Sequence, residues 1–356
     1  GFGSRIMNQP HWAIVGAGMS GIVAARTLWR AGHRVSVFEK STGASGRMAS
    51  RQTDFGSFDH GAQYFTVRDA RFALALGQVP GTLEHHRSWS VSSVRVLDAF
   101  GRKLSAEPRD PAYRWVGAPG MHHLVRHWAQ PLLDQGLLHL NAPVDALNCQ
   151  IQTNGQPSWQ LLTRGAWHPQ RFDGVIVAIP APQLTALLDH AQTRLPRAPL
   201  NRSGLETVQM QTCWAAMLAF PQASQAQLPS FGPHWNAAQS THHRISWLVR
   251  ESSKPGRAAT ERWTVHANPR WSVEHLNDDP SRVLTKLEQA FTELTGIRTR
   301  PYWSEVHRWR YALTTQALGQ SFTWDEPLGL GTCGDWHLGH RVEDAFVSGQ
   351  IGRAHV

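Results

Sequence analysis

The run Ala13-Ile14-Val15-Gly16-Ala17-Gly18-Met19-Ser20-Gly21, continuing through Ala24, Ala25 and Leu28 to Val35-Ser36-Val37-Phe38-Glu39, constrains this chain more than any other stretch. Ala13 to Val15 reads as a short buried strand, and the three glycines that follow have the G-x-G-x-x-G spacing. Ile22 to Ala31 reads as a helix ended by Gly32, and Val35 to Phe38 as a second strand closed by Glu39. Gly16 permits the tight turn, Gly18 lets backbone approach a pyrophosphate, and Gly21 lets the helix pack on the strand. The helix start offers unpaired N–H groups and a positive dipole end to phosphates. Glu39 lies about 20 residues beyond the glycines, the spacing of an acid that binds a ribose hydroxyl pair. A glycine fingerprint alone is weak, but in this strand–helix–strand–acid context it predicts dinucleotide binding.

The 356 residues exceed one typical domain and suit two interleaved ones. With 41% hydrophobic and 17% charged residues, a soluble globular protein with an ample core is expected. There is no run of about 18 apolar residues. No charged segment leading into an apolar one opens the chain, so no membrane partner and a cytoplasmic location are expected. Gly1 to Ile6 is expected to be an expression remnant before a natural start at Met7. Cys149, Cys213 and Cys333 are far apart and odd in number, suggesting neither a disulfide framework nor a metal site. The net charge of +9 comes from 35 basic and 26 acidic residues, and only Lys40, Lys103, Lys254 and Lys286 are lysines. The arginines form no run of five or six, so no nucleic-acid partner is expected. They suit a phosphate-bearing small molecule, whose oxygens match the guanidinium fork, no better than they suit a genome that writes arginine for lysine.

Beyond Glu39, Ser41 to Arg51 reads as a loop of small residues beside the nucleotide, with Arg47 able to neutralise a phosphate. In Phe55 to Thr66, Gly61 and Ala62 would let backbone lie against a flat ring, while Gln63, Tyr64 and Phe65 offer an amide and two aromatic faces. Taken singly, Tyr64 or Phe65 reads better as core. Trp89 to Leu97 alternates loosely like a strand, His122 to Leu133 reads as a helix, and Leu137 to Leu147 as one strand kinked at Pro143. A hairpin turns at Asn154-Gly155 and returns over Trp159 to Thr163. Phe172 to Pro180 is a buried strand of the first domain, with a helix from Pro182 to His190. Tryptophan-rich strands follow over Cys213–Phe220, Arg244–Arg250, Glu261–Ala267 and Pro301–Trp309, with an amphipathic helix over Ser281–Thr295. Near the end, a strand runs to Asp335, suited to a polyol chain, and a helix starting near Arg341 and Val342 would aim N–H groups at a ring carbonyl. A second site so far from the first implies a long cofactor such as FAD. Cys333 is a conceivable covalent anchor but fits better as a small buried hydrophobe. The expected architecture is an α/β FAD-binding Rossmann-type domain (residues 7–70, 128–190 and 325–356) interleaved with an α+β substrate domain containing an antiparallel sheet (71–127 and 191–324).

Gly46 to Arg51, Phe58 to Thr66, Gly334-Asp335-Trp336 and Arg341 to Ala345, with the glycine fingerprint, resemble the bacterial renalase branch of the flavin amine oxidase superfamily. The likeness extends through Phe172–Pro180, Trp247–Arg257, Trp263–Trp271 and His307–Ala312, covering nearly the whole chain from His11 onward. The resemblance implies noncovalent FAD held by Gly16, Gly18, Met19, Ser20, Gly21, Glu39, Lys40, Arg47, His60, Gly61, Val144, Asp335, Arg341 and Val342. It implies a substrate site at Gln63, Tyr64, Phe65, Thr66 and Trp247. The implied reaction oxidises the 2- and 6-dihydro isomers of NAD(P) to NAD(P)+, with O2 reoxidising the flavin and giving hydrogen peroxide. The tail Gly352 to Val356 departs from the small apolar helix expected of the family, and the 16 tryptophans are many.

Hydride transfer to flavin N5 asks the protein for orientation and electrostatics, so no catalytic acid or base and no metal is assigned. His60 tempts, but with 20 histidines in the chain a structural role reads better for any one of them. Two other readings stay open. One is a flavin amine oxidase, a branch that places a lysine in the substrate domain to hold a water at N5; Lys286 on the amphipathic helix and Lys254 in a Ser-Ser-Lys-Pro-Gly turn do not look placed for it. The other is a non-catalytic flavin- or nucleotide-binding protein. The expected partners are a small-molecule dinucleotide and O2, with the chain a monomer or homodimer.

Overall fold

The computed structural model describes residues 9–89, 94–104, 113–199, 202–224 and 231–356, so the expectation for Gly1 to Ile6 lies outside the described residues. β1 (His11–Val15) is apolar and leads through Gly16 into α1 (Met19–Arg30). Gly16 has φ +102°, and a Cβ there would lie 2.3 Å from the Ala178 carbonyl oxygen; a Cβ on Gly21 would lie 2.0 Å from the Gly16 oxygen. Both positions therefore exclude a side chain. The helix begins at Met19 rather than Ile22, because the Ile22 N–H donates to the Gly18 oxygen at 3.0 Å and closes the first turn over the fingerprint itself. β2 (Arg34–Phe38) returns parallel to β1.

β3 (Arg51–Thr53) and β4 (Gly56–Phe58) form a small hairpin, and α2 (Ala70–Gln78) starts on an Asp69 cap. The single strand expected over Trp89–Leu97 is two. β5 (His86–Trp89) pairs with β7 (Arg114–Gly117), whereas β6 (Arg95–Leu97) joins another sheet; residues 90–93 lie outside the described residues. After α3 (His122–Asp134), the kinked strand expected over Leu137–Leu147 is also two: β8 (Leu138–His139) lies parallel to β2, and β9 (Val144–Ile151) starts a separate hairpin. Pro143 sits at the break, where its missing N–H takes no ladder bond from either sheet.

The hairpin continues through β10 (Pro157–Thr163) and β11 (Ala166–Trp167), and β12 (Gly174–Val177) then leads to α4 (Ala181–Asp189). Next come β13 (Gln209–Ala219), β14 (Ala237–Ser240), β15 (Ile245–Arg250), β16 (Arg262–Ala267), α5 (Pro269–Glu274), α6 (Pro280–Thr295) and β17 (Trp303–Gln316). The chain closes with β18 (Thr323–Asp325), β19 (Leu330–Thr332) and α7 (Val342–Ser348). The tail that departs from the expected apolar helix is a 3-10 turn, and it sets His355 against Trp12 and Trp324, with ring centroids 5.0 and 4.3 Å away.

Two six-stranded sheets dominate. The first has the order β18-β19-β12-β1-β2-β8, parallel except for the edge strand β18; the second has the order β17-β13-β16-β15-β14-β6, antiparallel except for β6 on β14. This is the expected Rossmann-type and antiparallel pair. On β16 the two-residue period sends Trp263, Val265 and Ala267 into a core with Leu287 and Phe291 of α6. Thr264 and His266 therefore face the opposite way. Ala215 of β13 is in register with both His266 and His307 of β17, so the two histidines share that face. Among the described residues, no helix is long and apolar enough to cross a membrane.

Candidate active site

A cavity of about 1340 Å³ extends from the glycine turn to the His266–His307 face of the second sheet. A single drug-sized ligand needs about 300–1,000 Å³, so there is room for a long cofactor and a second molecule. Its walls include every sequence-expected site residue except Gly21 and Trp247. Gly21 is packed against the strand turn, as its spacing predicts. Trp247 lies behind the wall, its indole N–H 3.4 Å from Gln63 Oε1 and its ring 6.0 Å from Tyr64.

At the first end, the N-terminus of α1 has no side-chain cap and no acidic residue in its first turn. Its leading N–H groups, on Met19 and Ser20 at the cavity wall, suit a pyrophosphate. Glu39 accepts from the Ala17 N–H at 2.9 Å, the Ser41 N–H at 2.9 Å and the Ser41 hydroxyl at 2.6 Å, so it braces the glycine turn as well as standing at the ribose position. Lys40 and Val144 line the same end. A Cβ on Gly46 would lie 3.0 Å from Gly18 Cα, and one on Gly61 2.2 Å from the Arg47 oxygen, so backbone forms this part of the wall. These features fit an extended dinucleotide.

Arg47 and Asp335, 288 residues apart in sequence, form an ion pair, and Arg47 Nη1 also donates to the Tyr311 carbonyl at 3.2 Å. Burial pushes the Asp335 carboxyl up, opposed by Arg47. Of the two backbone donors expected at the last helix, the Arg341 N–H is taken by Asp344 Oδ2 at 3.0 Å, and only the helix start at Val342 remains to face the cavity. Cys333 is fully buried, does not line the cavity, and its thiol is pushed up to about 12 by burial, as suits a core residue.

At the second end the structure departs further from expectation. The Gln63 amide is already engaged: its NH2 donates to the Asp59 and Gly61 carbonyls (3.1 Å for Gly61), and its Oε1 faces the Lys254 ammonium at 3.5 Å and the Trp247 N–H. Phe65 is core, its ring 5.6 Å from Phe72 and its backbone paired with Trp115. Gln63, Tyr64, Phe65 and Thr66 all border the cavity, and the Arg114 guanidinium lies 5.2 Å over the Tyr64 ring.

Lys254, expected in a turn remote from the chemistry, is instead fully buried directly behind Gln63. Its Nζ lies 3.0 Å from Asp59 Oδ2 and 3.4 Å from Glu251 Oε1. Arg257 Nη2 reaches Asp59 Oδ2 at 2.6 Å, while the Ser50 hydroxyl and the Met121 N–H donate to Oδ1 at 2.7 and 3.0 Å. Burial would raise the Asp59 carboxyl, but Lys254 and Arg257 outweigh it and hold the group far below the usual carboxylate range. Glu251, whose Oε2 has no partner among the described residues, is pushed up by burial. Sequence reading missed this network and the histidine face. The only signal for the latter was the alternation of strands β16 and β17.

His60 is buried, with its ring 4.8 Å from His307 and 5.2 Å from Trp309. Its carbonyl accepts from the Trp309 indole at 3.0 Å and lies 3.1 Å from His266 Nε2. Burial, with His307 nearby, pushes the His60 ring down to about 4, and burial pushes His266 down to about 4. Both are neutral at physiological pH, and His60 is a structural member of the wall.

Residues 14–74 match the NAD(P)-binding Rossmann-like domain, and residues 112–351, well over half of the chain, match the flavin containing amine oxidoreductase model. The chain belongs to the flavin-containing amine oxidoreductase family. The family is one of flavin-containing oxidoreductases, and the cavity fits FAD. In sequence, the chain is 25% identical over 268 residues to the tRNA 5-methylaminomethyl-2-thiouridine biosynthesis bifunctional protein of Albidiferax ferrireducens, a match covering 71% of this chain and 41% of that one. It thus spans about two-fifths of the length of that relative. In structure it is similar to the cyclohexylamine oxidase of Brevibacterium oxydans IH-35A (TM-score 0.69, 13% identity, 98% of both chains). A putrescine oxidase bound to putrescine is also similar (TM-score 0.68, 11% identity, 97% of this chain and 98% of that one). At these identities the two structures share the fold.

Proposed function

We propose that this family member oxidises dihydronicotinamide dinucleotides reduced at the wrong ring carbon, the 2- and 6-dihydro isomers of NAD(P), to NAD(P)+, with O2 reduced to hydrogen peroxide. The observation that carries this reading is the charge of the cavity. Eight arginines and Lys40 line it, against the carboxylates Glu39, Asp145 and Asp335. Glu39 is engaged by Ala17 and Ser41, Arg47 and Asp335 neutralise one another, and the remaining cations still outnumber the acids. Such a wall favours polyanions, and a pair of dinucleotides, one cofactor and one substrate, meets it well. An ammonium substrate would want a carboxylate at the histidine end, yet the acids there, Asp59 and Glu251, sit behind Gln63 with Lys254 and Arg257 on them.

Bound FAD supplies the two-electron acceptance and its reoxidation by O2. In this reading the glycine turn with Met19, Ser20, Glu39, Lys40, Arg47, His60, Gly61, Val144, Asp335 and Val342 holds the cofactor. Tyr64 gives the substrate ring a flat surface, Thr66 a hydroxyl, and the surrounding core keeps bulk water from the reacting faces. Gln63 and Trp247 hold the Tyr64 segment rather than the substrate.

The test is anaerobic mixing of the yellow holoprotein with borohydride-reduced NAD+, which contains the isomers, while following flavin absorbance. Parallel samples receive cyclohexylamine, putrescine or ordinary 4-dihydro NADH. Rapid bleaching by the isomer mixture alone, reversed by air with peroxide formed, is the expected result. Bleaching by amines alone overturns the reading in favour of an amine oxidase, and no bleaching by any donor leaves a flavin-binding protein without this activity.

A further inference from the structure

With Gln63 engaged by its own protein partners, the histidine end of the cavity needs another polar group to orient a substrate. The His60 carbonyl can only accept, so His266 Nε2, 3.1 Å away, must carry the ring proton. Gln63 Nε2, 3.3 Å from the same nitrogen, has both hydrogens directed at the Asp59 and Gly61 carbonyls and cannot take that tautomer's place. The other nitrogen, Nδ1, is therefore a bare lone pair, and among the described residues it makes no hydrogen bond. His266 is deep in the protein yet keeps part of its ring accessible, and it does so at the cavity wall.

The surroundings make this lone pair unusual. The Trp309 N–H is used on the His60 carbonyl, and His60 Nδ1 is buried out of reach. Arg114, at the same end, is a donor. A neutral imidazole acceptor on the wall matches an N–H donor and repels an anion.

We propose that His266 Nδ1 accepts a hydrogen bond from the carboxamide NH2 of the substrate's nicotinamide ring and makes the site select a carboxamide over a carboxylate at that position. The assignment rests on the dinucleotide reading above.

The probes are NAD+ and its nicotinic acid counterpart, titrated calorimetrically into the oxidised holoprotein, where neither can react. The wild type is expected to bind the carboxamide about tenfold more tightly than the carboxylate, the worth of one well-formed hydrogen bond. His266→Gln reaches the Nε2 position with its amide, so it retains the donor to His60 but removes the acceptor. It should melt near the wild type with the amide-to-acid ratio collapsed towards one. His266→Asn puts an oxygen at the Nδ1 position and loses the donor to His60, so it should keep the ratio and lose stability. His307→Gln, on the same face, should leave the ratio unchanged.

A wild type that binds both probes equally, a His266→Gln variant with an unchanged ratio, or collapse of the ratio in His307→Gln instead overturns the assignment. If the isomers bleach the wild type while His266→Gln keeps its ratio, this assignment fails and the dinucleotide reading stands. If the isomers bleach nothing, that reading itself fails.

Discussion

Asp59 shows how one side chain couples the candidate site to the stability of the molecule. Its carboxylate has no accessible surface and takes an ammonium, a guanidinium, a hydroxyl and a backbone N–H. Removing one partner from a buried ionic cluster leaves uncompensated charge in a low-dielectric interior. Asp59→Asn should therefore destabilise the protein by about 3–5 kcal/mol in urea unfolding. Lys254→Met, which leaves Asp59 paired with Arg257, should cost less. Equal costs would show that the Lys254 contact, not the net charge, dominates. None of this was legible from the residues: Lys254 stands in Ser-Ser-Lys-Pro-Gly, a string with every mark of a solvated turn. Only the packing of that turn against the segment containing Asp59 and Gln63, about 190 residues earlier, makes it internal.

At the scale of elements, the glycine turn is where local sequence rules are strongest and the structure follows them most closely. A methyl group on Gly21 would collide with the Gly16 carbonyl, and one on Gly16 with the Ala178 carbonyl at a φ that side chains avoid. Gly21→Ala should therefore push α1 off β1 and empty the nucleotide end. The expected outcome is protein eluting from gel filtration without the flavin's visible absorbance and with a lowered Tm. A yellow, wild-type-like variant would show that the helix can shift without cost. Elsewhere, elements were legible but their partners were not. The apolar character of Leu138 and of Val144 to Leu147 marks strands, yet nothing in it says that one belongs beside β2 and the other in a hairpin. Trp89 and Leu97 likewise look continuous in sequence and serve different sheets. Hydrophobic periodicity reports which side of a strand is buried, not what buries it.

The whole molecule carries a set of neutral, desolvated histidines that should set its response to acid. Burial pushes His60 and His266 down to about 4 and His122 and His337 down to about 3, all from an ordinary value of 6.5. A folded-state value below the unfolded one means the stabilisation is present above the unfolded value and is lost as pH falls through the folded one. Between about 6.5 and 4 the unfolded chain binds protons at these positions that the native state refuses, at about 1.4 kcal/mol per group per pH unit. The raised carboxyls of Glu251 and Asp335 oppose this only in part. The Tm should thus fall steeply from pH 6.5 to 4.5, by several degrees per unit. A flat profile would mean that these rings are solvated or paired.

The sequence by itself determined the nucleotide-binding half, because a glycine turn, a capless helix start and an acid at fixed spacing act over some thirty neighbouring residues and need no distant partner. It also determined the antiparallel layer and its helix, whose periodicities are local. Only the tertiary structure decided the chemistry of the second end of the cavity. There Gln63 meets Lys254 and His266 from about 200 residues away, and the free valence of each depends on which atoms its neighbours have already taken. Hydrogen-bond saturation is a property of the assembled neighbourhood, and no residue's own sequence context records it.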